Sequence, residues 1–151
     1  MEIEKEIQQK KPFRNNRHRA MVNLMYTSNW LRDSIKKLLK PHGLTLQQYN
    51  VLRILKGAEE PITTSIIRER LLDKMADTSR LVERLSQKGL VNRKVCSFDK
   101  RLVDVSLSKT GLELVESLNQ QQSVLDNIFK NLNEEEALLM SQLLDKVRMK
   151  K

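Results

Sequence analysis

The stretch that decides the fold is residues 68–107, which read RERLLDKMADTSRLVERLSQKGLVNRKVCSFDKRLVDVSL. Its first half carries apolar residues at helical spacing and ends at Lys88-Gly89, where glycine suits the left-handed conformation that closes many helices. Period-two alternation follows on both sides of a charged turn, which predicts a β-hairpin. One strand places Val91, Arg93 and Val95 on a shared face, and the other places Val103, Val105 and Leu107 on its inner face. A helix that leads directly into a charged hairpin predicts a winged helix-turn-helix.

Helix signals continue on the N-terminal side of this stretch. An apolar stripe from Arg17 predicts a long first helix, which Pro41-His42-Gly43 ends. Thr45 and Gln48 form the capping-box pattern of a second helix. A third, short helix begins at Thr63 or Thr64, and the fourth, within the deciding stretch, is capped by Asp73 or Asp77.

Two further helices follow the hairpin. Ser108 caps a fifth helix that we expect to run to about Asn131, and Asn133 with Glu136 forms the capping box of a sixth. The predicted fold is therefore mainly α with a small β-hairpin wing. Residues 1–16 are predicted to be a basic flexible tail and residues 17–151 a single domain, with the winged-helix part at 44–107. The flanking helices, 17–40 and 108–149, have broad apolar stripes that we expect to pack together and against a second subunit.

Composition narrows the class of partner. Lys and Arg number 28 against 19 Asp and Glu, which gives a net charge of +9 and favours an anionic partner such as nucleic acid or a membrane surface. Residues 68–101 hold ten Lys/Arg and five Asp/Glu, about half of that surplus. A second basic run, Lys10 to Arg19, contains no acid; it is expected to be solvated, with contact to a DNA backbone as the alternative.

Other classes receive little support. A single cysteine excludes an intramolecular disulfide and fits a reducing compartment, and no apolar run of ~18 residues is present, so we expect a cytoplasmic protein. Two histidines without neighbouring ligands argue against a metal site, and no cofactor is predicted. The chain lacks a phosphate loop, a nucleophile elbow or paired carboxylates, which argues against an enzyme.

The fourth helix and the hairpin carry the candidate binding chemistry. Short polar side chains near the start of a helix let its backbone approach base edges in the major groove, and arginines farther along reach guanine or phosphate. A solvated helix face is the alternative, and the hairpin that follows favours binding. Arg101 at the hairpin tip can enter the minor groove, with Asp99 orienting it; an ordinary surface ion pair is the alternative. The predicted DNA-binding residues are Thr63, Ser65, Asp77, Thr78, Ser79, Arg80, Arg84, Arg93, Asp99, Lys100 and Arg101.

Four motifs stand in order along the chain: residues 44–52 (LTLQQYNVL), 79–91 (SRLVERLSQKGLV), 99–101 (DKR) and 107–111 (LSKTG). Together they resemble the MarR family of bacterial transcription regulators over roughly residues 20–148. The resemblance implies a homodimer built through the terminal helices and a palindromic operator. It also implies repression that a small phenolic or oxidant signal releases. By position, Asp99 and Arg101 match the family's wing pair and residues 75–84 its recognition helix, although Ala76-Asp77 stands where small hydroxyl residues are common.

Two weaker signals concern the releasing signal. Tyr26, Trp30, Tyr49 and Arg53 are candidate residues of a ligand pocket, although core packing explains the aromatic residues equally well. Cys96 invites a redox interpretation, but it lies in the wing strand, whereas sensing cysteines of the family generally lie in the first helix. A structural cysteine is the preferred interpretation.

The sequence thus predicts a dimeric, sequence-specific DNA-binding regulator. The alternative is a winged-helix protein that binds RNA or a protein partner without a regulatory ligand. A thiol enzyme using Cys96 is a third, weaker hypothesis.

Overall fold

The computed structural model describes residues 2–95, 98–99, 102–120 and 126–150. The helices are α1 (Ile3–Glu6), α2 (Asn16–Leu39), α3 (Leu46–Lys56), α4 (Thr64–Arg70), α5 (Thr78–Gln87), α6 (Lys109–Gln120) and α7 (Glu134–Arg148). The strands are β1 (Ile62–Thr63), β2 (Val91–Val95) and β3 (Val103–Leu107). Short 3-10 turns lie at Lys40–His42 and Asn127–Phe129. No helix among these residues is long and apolar enough to cross a membrane.

The predicted helix boundaries are set by side-chain caps. Thr45 and Gln48 exchange hydrogen bonds as a capping box at the start of α3, and Asn133 and Glu136 do the same for α7, which confirms both predictions. Thr63 caps α4 through its hydroxyl, which accepts from the Ile66 amide at 3.4 Å. Asp77, rather than Asp73, caps α5.

Helices α3 to α5 and one antiparallel sheet of order β1-β3-β2 form the winged-helix core. In the hairpin Val91 pairs with Leu107, Arg93 with Val105 and Val95 with Val103, so the predicted face sharing is confirmed. The two-residue strand β1, which the sequence analysis did not predict, pairs Ile62 with Val105. The core side chains beneath this sheet include Leu52, Ile67, Leu85 and Val105, each fully buried.

The junction between α5 and α6 is closely packed. Gly89 adopts φ +69°, which turns the chain out of α5 into β2. The Ser108 hydroxyl donates to the Gly89 carbonyl at 2.6 Å and accepts from the Gly111 amide at 3.0 Å, so Ser108 both caps α6, as predicted, and ties it to the end of α5. Gly111 lies directly against the Leu90 carbonyl, where a Cβ would be only 2.0 Å away.

The N-terminus differs from the predicted flexible tail at its first residues. Ile3 of α1 is buried against α2. The Arg19 guanidinium donates to both carboxylate oxygens of Glu4 at 2.5 and 3.1 Å, and the Tyr26 hydroxyl donates to Glu6 at 2.9 Å. The tail prediction is therefore corrected for residues 3–6, because one apolar residue and two carboxylates attach this turn to α2.

The flanking helices expose their apolar stripes. No residue of α7 is buried, and its exposed apolar side chains are Leu138, Leu139, Leu143 and Val147. The long helix α2 exposes Met21 and Met25, although its far end, Leu39, is buried in the winged-helix core. The fifth helix was predicted to continue to Asn131; residues 121–125 lie outside the described residues, and Asn127–Phe129 is a 3-10 turn rather than a continuing α-helix.

Candidate nucleic-acid interface

Helix α5 divides into a buried face and an exposed face. Leu81, Val82 and Leu85 hold it to the core, whereas Ser79, Arg80 and Arg84 point away from the core and are exposed. Arg80 and Arg84 are four residues apart and Ser79 adjoins Arg80, so the three side chains form one exposed stripe along the helix. Asp77 caps the helix through a 3.1 Å hydrogen bond from the Arg80 amide and is itself exposed.

Thr78 is a correction to the predicted set. It is 1% exposed, and its hydroxyl has no hydrogen-bond partner among the described residues. As the first residue of α5 it lies one helical turn before Leu81 and Val82, on the face that packs inward. Its side chain is therefore not available to a ligand at the surface.

The remaining predicted residues are distributed over the same core. Thr63 is half-buried and occupied as the cap of α4, while Ser65 in the first turn of α4 is exposed. Arg93 is exposed on β2, and Asp99 is exposed near the tip of the hairpin. Lys100 and Arg101 lie outside the described residues, as does Cys96, so their assignments stay predictions.

The turn between α4 and α5 is held by Asp73, for which the sequence predicted only a possible capping role. The Gln47 amide donates to Asp73 Oδ2 at 2.7 Å, and the Met75 amide donates to Oδ1 at 3.0 Å. These hydrogen bonds, the one from Gln47 above all, hold the pKa of Asp73 below its usual value, and the positive charge of Arg32 adds to the effect. The turn that leads into α5 is thus connected to the start of α3.

The C-terminal end of α5 is connected to α3 as well. The Lys88 ammonium donates to the Gly43 carbonyl and, at 3.2 Å, to Oε1 of Gln48. Gln48 is 3% exposed, and its Oε1 also accepts the Thr45 amide at 3.2 Å. Since the turn that precedes α5 and the residue that ends it, Lys88, are both linked to the start of α3, the exposed stripe of α5 has a fixed orientation on the core. Capping-box spacing revealed Gln48, but no local pattern connects Lys88 or Asp73 with α3.

The four predicted pocket residues do not come together. Tyr26 and Trp30 line a pocket of about 260 Å³ together with Ile3, Glu6, Asn23 and Thr27. Tyr49 is instead buried in the core, and Arg53 lies over its ring, 5.8 Å from the centroid. The pocket thus lies between α1 and α2, and Tyr49 and Arg53 do not belong to it.

A fixed helix with an exposed stripe of hydroxyl and guanidinium groups, followed by a β-hairpin, defines a winged helix-turn-helix protein. No group of three or more His, Cys, Asp or Glu that could hold a metal ion occurs within the described ranges.

Similarity to known proteins identifies the family to which this winged helix-turn-helix protein belongs. A model of the MarR family matches residues 42–102. The HTH-type transcriptional regulator MhqR of Bacillus subtilis is 26% identical over 120 residues, which cover 78% of this chain and 81% of the relative. A crystal structure of a mutant MarR from E. coli complexed with operator DNA is 29% identical, with a TM-score of 0.74, over 84% of this chain and 92% of that one. A second structure of a mutant MarR from E. coli is 30% identical, with a TM-score of 0.64, over 83% and 93% of the two chains.

A more distant structure has the same fold. The organohalide-sensing regulator RdhR-CbdbA1625, in its 2,4-dichlorophenol-bound form, is 19% identical with a TM-score of 0.80, over 93% of this chain and 86% of that one. The chain belongs to the MarR family, and it is a transcriptional regulator.

Proposed function

We propose that this regulator is a homodimeric, cytoplasmic repressor that binds a palindromic operator, with α5 in the major groove and the hairpin in the flanking minor groove. The observation that carries the proposal is the exposed stripe of Ser79, Arg80 and Arg84 on a helix that is linked to α3 through the turn before it and through Lys88 at its end. A fixed helix offers base edges a defined set of donors, and a defined set is what sequence discrimination requires. Ser65, Asp77 and Arg93 are further candidates on the same core, and Lys100 and Arg101 are the candidates at the hairpin tip.

The first experiment is a selection of bound duplexes from a random pool, followed by competition between the selected sequence and random duplex. We expect an enriched sequence with two half-sites about 10 bp apart. Equal binding of selected and random duplex would favour the alternative, a winged-helix protein whose partner is RNA or another protein.

Single substitutions then test whether the exposed stripe of α5 binds the operator. Arg84→Ala should weaken operator binding by about 5- to 150-fold if the guanidinium makes a bidentate contact with a base, equivalent to about 1–3 kcal/mol. Lys130→Ala is the control, because it removes one positive charge from an exposed side chain that lies outside residues 44–107 and outside the basic run Lys10 to Arg19. An equal loss in both variants would mean that bulk charge, rather than the α5 stripe, carries binding. Arg101→Ala tests the hairpin tip in the same assay.

The exposed stripe of α7 supports the dimer. A 15-residue helix with no buried residue and with Leu139, Leu143 and Val147 more than half exposed leaves a large apolar surface in water. A second copy of the chain, with its own α2 and α7, offers a matching apolar surface. Leu139→Glu together with Leu143→Glu should produce a monomer in sedimentation equilibrium, whereas the same change at the exposed, polar Gln142 should leave a dimer. A monomeric wild type at micromolar concentration would refute the dimer.

The pocket between α1 and α2 supports a small phenolic effector. Glu6 offers carboxylate lone pairs to a phenolic hydroxyl, and the Trp30 ring offers a stacking surface. Trp30 is the only tryptophan of the chain, so its fluorescence reports binding directly. We expect saturable quenching by 2,4-dichlorophenol and much weaker quenching by 1,3-dichlorobenzene, which lacks the hydroxyl. Equal quenching by both compounds would show that the pocket does not recognise the hydroxyl group. An effect of peroxide on operator binding that depends on Cys96 would favour an oxidant signal instead.

A further inference from the structure

The turn that precedes α5 has a fixed backbone. Both oxygens of the Asp73 carboxylate are occupied, one by Gln47 and one by the Met75 amide, and the Ala76 amide donates to the Asp73 carbonyl at 3.3 Å. Residues 73–76 are therefore held against α3 before the chain enters the helix at Asp77.

This fixed turn presents an apolar side chain to solvent. Met75 is 92% exposed, two residues before the cap of α5. Leu72, at the other end of the turn, is 82% exposed. Exposure of the apolar methionine side chain to water is not favourable, since its thioether is only a weak hydrogen-bond acceptor. The exposed Met75 side chain is suited to contact an apolar group of a bound molecule.

The proposed function places one apolar group next to this position. In a helix-turn-helix complex the N-terminal residues of the recognition helix contact base edges in the major groove, and the thymine C5-methyl is the apolar group displayed there. Met75 lies two residues before the Asp77 cap at this end of α5, and Ser79 and Arg80 in the first turn of the helix are exposed as well.

We propose that Met75 is a specificity-determining residue that contacts a thymine methyl group in the major groove, and that Asp73 is the residue that positions it. The proposal rests on the proposed function, since it requires a duplex operator in contact with α5. It assigns to this chain a preference for thymine at one position of each half-site, read without a hydrogen bond.

Replacing thymine by uracil, one position at a time, in the selected operator tests the proposal because it removes only the methyl group. Wild-type protein should lose about four-fold in affinity at one thymine per half-site, the value of about one buried methyl group. Met75→Ala should bind both duplexes equally, whereas Met75→Leu should retain the difference. Because Met75 is almost fully exposed, the variants should melt at the wild-type temperature.

The outcomes separate this inference from the proposed function. If no sequence is enriched from the random pool, the proposed function fails and this inference fails with it. If an operator is found but no uracil substitution changes the affinity, or the change persists in Met75→Ala, only this inference is refuted. Loss of the difference in Leu72→Ala but not in Met75→Ala would likewise refute it.

The positioning role of Asp73 has its own readout. Asp73→Ala removes both acceptors and should abolish the thymine–uracil difference, while Asp73→Asn keeps one carbonyl acceptor for the Met75 amide and should restore part of it. A merely stabilising role would lower the melting temperature and leave the ratio of the two affinities unchanged, and that result would contradict the proposal.

Discussion

Gly111→Ala is the substitution for which the structure predicts the largest effect from a single methyl group. Gly111 lies in the first turn of α6, where an added Cβ would be 2.0 Å from the Leu90 carbonyl oxygen and 2.9 Å from the carbonyl carbon. Both atoms belong to the backbone, so no side chain can rotate away. Helix α6 must move by at least about 1 Å from the end of α5, since Cβ contacts under 3.0 Å essentially do not occur in proteins.

The size of the effect follows from what that shift disturbs. Overpacking of this kind costs about 1–3 kcal/mol. The hydrogen bond from the Ser108 amide to the Leu90 carbonyl, 3.1 Å long, would be strained, at a cost of about 0.5–1.5 kcal/mol. Alanine offsets about 1 kcal/mol through its helix propensity. The three terms sum to a net loss of about 0.5–3.5 kcal/mol in the free energy of unfolding. The middle of that range, about 2 kcal/mol, lowers Tm by about 4–8 °C in a chain of this size.

Urea and thermal unfolding followed by circular dichroism measure this loss. Gly57→Ala is the matched control: its Cβ would meet the Arg53 carbonyl oxygen at 3.7 Å, an ordinary contact, so it should change the free energy of unfolding by less than about 0.5 kcal/mol. A Gly111→Ala protein as stable as the Gly57→Ala control, within about 0.5 kcal/mol of wild type, would refute the reasoning, because it would show that α6 can move from Leu90 at little cost.

Three further predictions concern buried or hydrogen-bonded polar groups. Thr78→Val should leave the free energy of unfolding unchanged or raise it by about 1 kcal/mol, because it removes a buried hydroxyl for which the described residues provide no partner. Thr78→Ser, which leaves the hydroxyl and removes a methyl group, should lower it. Urea unfolding measures both, and a clear loss of stability in Thr78→Val would reveal a partner for the hydroxyl. Because the pKa of Asp73 is lowered below 3.8 in the folded protein, its contribution to stability is present above that pH and is lost as the pH falls through the folded pKa. The difference in Tm between wild type and Asp73→Asn should therefore shrink below about pH 3.8, and a constant difference would contradict the linkage. Lys88→Met and Gln48→Leu should be less destabilising together than the sum of the two single changes, since each alone leaves the other group without its partner; additivity in a double-mutant cycle would show that the 3.2 Å contact carries no coupling.

The features that the sequence predicted correctly are those encoded within a few residues. The capping boxes at Thr45 and Asn133 and the hairpin register around Val105 each depend on local spacing. The exposed stripe of Ser79, Arg80 and Arg84 follows in the same way from the three-and-four spacing of its buried partners. Helix and strand periodicity is sufficient for such features because each residue's face is set by its neighbours in sequence.

The features that the sequence did not predict depend on distant partners. Strand β1 has only two residues and exists because β3, some forty positions away, pairs with it. Thr78 is polar and stands next to a helix cap, which suggests exposure, yet the inward face of α5 buries it. The start of the chain was expected to be flexible because it is polar. The ion pair between Glu4 and Arg19 joins two residues that are brought together by the packing of α1 on α2, which local sequence does not reveal. The attachments of Asp73 and Lys88 to α3 are likewise contacts between elements, for which composition and spacing give no signal.

The length of α2 has a mechanical consequence. Its 24 residues form a rod of about 36 Å, with Leu39 embedded in the winged-helix core and Tyr26 and Trp30 on the pocket that α1 closes. A tilt of about 5° displaces the end of such a rod by about 3 Å, close to the ~3.4 Å rise of one base pair. Any ligand that tilts α2 by this small angle would therefore move the winged-helix core by about one base step. The length of α2 converts the small rotation into that displacement, and the ligand need not contact α5.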